Sequence, residues 1–201
     1  MDHLMLVDSV TSVPKDCEPQ LAPAGGVLLE ISAAAACNEL LKAALADGVA
    51  IAVLSGYRTG EYQRLLWNKS VHDYMSEGLS FDEAERLTGR YLASPCHSEH
   101  ETGLACDFTT WGCTDTRDDL ASTPEGIWLC RNAARFGFIL RYPRMKEHIT
   151  GIAYEPWHYR YVGLPHSRVI RERGLTLEEY LHYREERSPC AFSAENDALK
   201  K

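Results

Sequence analysis

The stretch Ser98-Glu99-His100-Glu101-Thr102-Gly103-Leu104-Ala105-Cys106-Asp107 constrains this chain more than any other. It sets a histidine and an aspartate, both common zinc-ligand types, on either side of a glycine. From Leu104 to Phe108 the alternation is that of a strand, with Leu104, Cys106 and Phe108 on one face and Ala105 and Asp107 on the other. His100 and Asp107 are an odd number of positions apart, so an unbroken strand would point them to opposite faces. Gly103 can take backbone angles closed to other residues and so break that parity. Alone, the pair is a weak signal that reads better as a surface histidine and a strand-end aspartate, and the rest of the chain has to decide.

With 201 residues, the chain suits one domain with a sizeable core. A net charge of -8 and the lack of basic runs argue against a nucleic-acid or anionic-membrane binder. No stretch approaches the roughly 20 apolar residues of a membrane helix. The start, Met1-Asp2-His3-Leu4-Met5-Leu6-Val7-Asp8, lacks the basic head and apolar run of a signal peptide. A cytoplasmic protein is expected, unless an export segment or anchor precedes this sequence. Seven cysteines, an odd number with no CxxC pair, fit free thiols in a reducing compartment. Cys106 and Cys130 are expected in the core.

Residues 1–28, with Pro14, Pro19, Pro23, Gly25 and Gly26, are expected to be irregular, 29–188 to form the domain, and 189–201 to be a frayed tail. Helices are expected at Ile31–Ala46, Gly60–Glu77, from the capping box at Ser80 through Leu92, at Pro124–Arg135, Ser167–Arg173 and Leu177–Arg187. Strands are expected at Ala50–Leu54, from Leu104, and at Phe138–Tyr142, Ile149–Tyr154 and His158–Val162. Residues 109–122 read as a polar surface excursion. No regular βαβ rhythm joins these elements, so the fold class is α+β.

Tyr154-Glu155-Pro156-Trp157-His158 supplies what the first stretch lacks. Pro156 disfavours helix at Glu155, so this is an extended turn that can aim a carboxylate and an imidazole at one point. His100, Asp107 and His158 then make three ligands, the usual number in a catalytic zinc site that keeps one position open. Glu155 is a spare carboxylate beside a ligand, where a general base belongs.

SxHxxGxAxD followed by ExxWH resembles the D-alanyl-D-alanine metallopeptidases: VanY-type D,D-carboxypeptidases, VanX-type D,D-dipeptidases and bifunctional VanXY enzymes. The likeness also takes in Ser55-Gly-Tyr-Arg-Thr with Gln63, Gly137-Phe-Ile-Leu-Arg-Tyr-Pro, and the run from Ile149 to Gly163. It implies one domain with a small, mostly antiparallel central sheet flanked by helices, as in lysostaphin-type peptidases and the hedgehog domain. It also implies one Zn2+ per chain on His100, Asp107 and His158, and a peptide substrate ending in D-Ala-D-Ala. Glu155 would be the general base and pass its proton to the leaving amine. Arg58 would stabilise the oxyanion or hold the substrate near the scissile carbonyl. Ser98 and Gln63 would bind the terminal D-Ala, Ser98 at its carboxylate, and Trp157 and Tyr142 would wall the pocket. Such an enzyme supports glycopeptide (vancomycin) resistance or trims cell-wall precursors, and the lack of a signal or anchor in this sequence tilts the expectation to the bifunctional VanXY kind, which also splits free D-Ala-D-Ala.

Residue chemistry alone gives blander alternatives. Arg58 is a possible surface ion-pair partner, Ser98 a turn residue, Gln63 a solvated helix position, and Trp157 and Tyr142 core aromatics. The rival from another class is a non-catalytic zinc-binding module of the same fold, which need retain neither Glu155 nor Arg58.

Overall fold

A tight hairpin and an alanine-rich helix form the platform on which the site is built. The structure, a computed structural model, describes residues 1–187; the tail expected at 189–201 lies outside the described residues. Strands β1 (Leu21–Ala24) and β2 (Val27–Glu30) pair antiparallel. Gly25 and Gly26 turn between them at φ of 56° and 93°, the double left-handed turn that glycine pairs adopt readily. The segment expected to be irregular up to residue 28 therefore ends in a hairpin, which the Gly-Gly pair could have signalled.

Glu30 then opens α1 (Ile31–Ala46), its carboxylate accepting from the Ser32 and Ala33 amides at 2.9 and 3.2 Å. Ala33, Ala34, Cys37, Leu40 and Ala44 form the buried stripe. Small side chains let α1 approach the sheet closely. After β3 (Ile51–Ser55) come α2 (Gly60–Ser76), capped by Thr59, and α3 (Phe81–Thr88), opened by the expected capping box at Ser80. α3 stops at Gly89 rather than Leu92. Then follow β4 (Ala105–Thr110), α4 (Pro124–Asn132), β5 (Phe138–Leu140), α5 (Glu147–Thr150), β6 (His158–Tyr161), α6 (His166–Arg173) and α7 (Leu177–Glu186).

The central sheet has the order β3-β4-β6-β5, and every neighbouring pair is antiparallel. This is the α+β architecture expected. Its core face carries Cys106, Phe108, Phe138 and Tyr159 against Leu40, Trp128 and Leu129. A second apolar cluster, including Ile139, Ile170, Leu177 and Tyr180, seats α6 and α7. Cys106 is buried as expected, but Cys130 is exposed, because Trp128 and Leu129 take the inward positions of α4. Residues 149–154 are not a strand. α5 occupies the start, Gly151 ends it at φ 75°, and the Ala153 amide bonds to the Arg90 carbonyl. β5 and β6 pair directly, so this segment does not form a strand between them. Among the described residues no helix is long and apolar enough to cross a membrane.

Candidate active site

Two strand registers and one turn bring the predicted ligands together. Asp107 on β4 stands opposite His158 on β6, and Ser55 at the end of β3 pairs with Asp107 from the other side, past an irregularity at Val53/Ser55. His100 is not on the strand. It sits in a 3-10 turn, Glu99–Thr102, closed by Gly103 at φ 71°. A Cβ on Gly103 would fall 2.9 Å from the Glu30 amide nitrogen, which itself donates to the Gly103 carbonyl. The glycine thus permits both the left-handed angle and the close approach of the hairpin, and the odd spacing resolves as expected.

The nitrogens of His100 and His158 and a carboxylate oxygen of Asp107 lie within 4.8 Å of one another, and all three residues are buried. His100 Nδ1 lies 2.7 Å from the Gly56 carbonyl oxygen, which fixes the proton there and turns Nε2 towards Asp107 Oδ2 at 3.3 Å. His158 presents Nδ1, 3.2 Å from Asp107 Oδ1 and 3.8 Å from Glu155 Oε2. Despite that 3.2 Å, Asp107 Oδ1 takes no aligned hydrogen bond and is a buried orphan acceptor. Two imidazoles, one carboxylate and an orphaned oxygen fit a zinc ion.

Burial pushes the Glu155 carboxyl up to about 8, with Asp107 and Glu99 adding to it against His158 and Arg58. That range lets a carboxyl both take and release a proton near neutrality. Burial works against a charged His158, but the facing Asp107 and Glu99 carboxylates outweigh it and raise the imidazole to about 9. Burial, then the nearby Arg58 charge, lowers His100. Burial alone would raise Asp107, yet the two histidines hold it well below the usual carboxylate range.

A cavity of ≈ 280 Å³ opens over the cluster and is lined by all nine predicted site residues. Arg58 donates to Asp107 Oδ2 at 2.8 Å, Ser55 Oγ at 3.0 Å and Gln63 Oε1 at 3.5 Å. Gln63 is 0% exposed, and its Nε2 donates to the Ala93 carbonyl at 2.7 Å, so its amide is tied to protein groups beside Arg58. Ser98 lines the cavity, and its side chain does not cap the turn that follows. Trp157 and Tyr142 are among the residues lining the cavity, with Tyr142's ring 4.8 Å from that of His158. Thr116, from the expected surface excursion, reaches the mouth.

Sequence reasoning missed Glu99, Arg141 and Arg160. Glu99 follows Ser98 in the motif itself, and the two arginines stand inside otherwise apolar or aromatic strand stretches. A charged residue in such a run signals a buried partner.

Residues 26–164 match the family model described as VanY: D-alanyl-D-alanine carboxypeptidase. The chain belongs to this family. A bifunctional D-Ala-D-Ala dipeptidase and carboxypeptidase, VanXYC of Enterococcus gallinarum, is 38% identical over 194 residues, covering 91% of this chain and 95% of the relative. The D-alanyl-D-alanine carboxypeptidase of Enterococcus faecalis is 38% identical over 180 residues, and Bacillus subtilis YodJ, a putative carboxypeptidase, 39% over 149. The matches cover 89% and 74% of this chain but span 65% and 51% of those two relatives. Among solved structures, a mutant of the vancomycin-resistance D,D-pentapeptidase VanY, in complex with Zn(II), superposes with a TM-score of 0.81 at 38% identity, covering 90% of this chain and 99% of that one. A VanXYg D,D-dipeptidase holding a D-Ala-D-Ala phosphinate analogue gives 0.77 at 35% identity, over 90% and 70%.

Proposed function

We propose that this chain is a zinc-dependent D,D-carboxypeptidase that removes D-Ala from peptides ending in D-Ala-D-Ala, as in peptidoglycan precursors, and so supports vancomycin resistance or precursor trimming. The observation that carries this reading is the His100–Asp107–His158 cluster with the Glu155 carboxylate 3.8 Å from His158 Nδ1, buried in a VanY-family cavity. His100 Nε2, Asp107 and His158 Nδ1 would hold the ion. When bound, zinc supplies a Lewis acid that activates a water and polarises a carbonyl.

The chain's own residues do the rest. Glu155 takes the proton of the attacking water and returns it to the amine of the departing D-Ala. Arg58 sets a positive charge beside the developing oxyanion. The Ser98 hydroxyl, with no capping duty, donates to the terminal carboxylate. Gln63 holds Arg58 and borders the terminal D-Ala. Trp157 and Tyr142 exclude water from the reacting bond.

Free D-Ala-D-Ala brings an amine that needs an acid. The acids lining the cavity are Glu99, Asp107 and Glu155, each with another duty, and this favours a longer peptide over the free dipeptide. We assign the protein to the cytoplasm because the six described cysteines are all free.

Zinc content is measured together with D-Ala release from an N-acylated D-Ala-D-Ala peptide and from the free dipeptide. Release that is lost on chelation and restored by zinc is expected, with the acylated peptide preferred. Zinc-loaded protein that releases nothing, and whose Glu155→Gln variant binds the peptide like the wild type, would mark a non-catalytic module.

A further inference from the structure

Behind the ligand cluster lies a buried acid that the reaction above does not use. Glu99 Oε1 accepts from Arg141 Nε at 2.8 Å and from Arg160 Nη1 at 2.7 Å. Its Oε2 is left facing His158 Nε2 at 3.4 Å. The other ring nitrogen of His158, Nδ1, is the one turned to Asp107 and Glu155. An imidazole that offers one nitrogen to a metal carries its proton on the other, and whatever accepts that proton fixes the tautomer and the ring plane.

We propose that Glu99 is a positioning residue for His158, accepting Nε2–H so that Nδ1 faces the cluster, and that Arg141 and Arg160 aim Glu99. The proposal rests on the zinc reading above. Glu99 borders the cavity, but its side chain is 0% exposed and its oxygens face Arg141, Arg160 and His158, so it acts through His158 and not on substrate.

The clamp is anchored in two distant segments. Arg141 also forks onto Glu178 of α7 at 3.1 and 2.7 Å. Arg160 Nη2 donates to the carbonyls of His3 and Met5 at 3.1 and 2.7 Å. Two guanidiniums on one carboxylate oxygen fix the side chain's orientation and leave only Oε2 for the imidazole. The same arrangement forbids an amide. In Glu99→Gln the carbonyl oxygen must stay on the guanidiniums, since an NH2 set against them would face two cations with no acceptor. The NH2 then meets His158 Nε2, which must accept. The imidazole proton is driven to Nδ1, the nitrogen the metal needs.

The test uses zinc-loaded protein. Imidazole 15N resonances are assigned by long-range 1H–15N correlation, and zinc affinity is measured by chelator competition in wild type, Glu99→Gln and Glu99→Asp. His158 in the wild type is expected to carry its proton on Nε2 and none on Nδ1. Glu99→Gln is expected to lose about 10–100-fold in zinc affinity, and Glu99→Asp, which keeps an anionic acceptor, to lose less. A zinc-loaded wild type with the His158 proton on Nδ1 overturns the proposal, and that readout stands even if a variant fails to fold. A folded Glu99→Gln that binds zinc as the wild type does also overturns it, while leaving the zinc reading intact. Wild type that takes no zinc overturns the zinc reading itself.

Discussion

On one face of the four-stranded sheet Cys106, Phe108, Phe138 and Tyr159 belong to the apolar cluster that includes α1 residues. One residue along the same strands stand Asp107, His158 and Arg160, with Arg141 just beyond the end of β5, and all four are as buried as the hydrocarbon. The first face is held by removal of apolar area from water, which is non-directional and adds roughly with area. The second is held by mutual compensation. Each charge there has lost its water, and its place in the interior depends on a particular partner at a particular atom. The apolar face should therefore tolerate change that keeps volume, whereas the charged face should tolerate almost none.

The charged face should break most visibly at Glu155. Glu155→Gln is expected to cut D-Ala release by about 10²–10⁴-fold with zinc content unchanged, read by steady-state assay beside metal analysis. Arg160→Met should come next, costing about 3–5 kcal/mol in urea unfolding, because it strips Glu99 of one guanidinium and the His3 and Met5 carbonyls of their donor.

A pH series sharpens the same contrast. Burial would raise Glu99, but Arg141 and Arg160, with His158, hold it far below its ordinary 4.5. An acid depressed in the folded state stabilises above its unfolded pKa and loses that contribution as pH falls towards the folded value. The Tm gap between wild type and Glu99→Gln should thus be level from pH 7 to 5 and narrow below pH 4.5. The smallest effect is expected on the apolar face, where Leu40→Met should cost less than about 1.5 kcal/mol and leave activity within a few-fold.

How far each face could be read beforehand follows from the same difference. The stripe of α1 and the Cys106/Phe108 alternation are periodic signals, and they led to the right elements. The run at 149–154 carried apolar residues of the kind that form strands. It became a short helix and loop tied to the Arg90 carbonyl, while β5 and β6 paired with each other, a long-range choice that no local preference records. Likewise, Gln63 was readable as a helix position, but not as fully buried between Arg58 and the Ala93 carbonyl.

By itself the sequence determined the chemistry: which residues offer imidazole, carboxylate and guanidinium, that Pro156 bars a helix between Glu155 and His158, and that a glycine stands where the odd spacing of His100 and Asp107 needs one. Tertiary structure alone decided the convergence. Strand register set Asp107 against His158, and the left-handed turn at Gly103 brought His100 alongside. Four charged side chains then joined behind His158: Glu99 from β4's approach turn, Arg160 from β6, Arg141 from just past β5, and Glu178 from α7. The reason is physical. Ligand types are properties of single residues, whereas the pairing that makes a buried charge tolerable exists only between segments far apart in the chain.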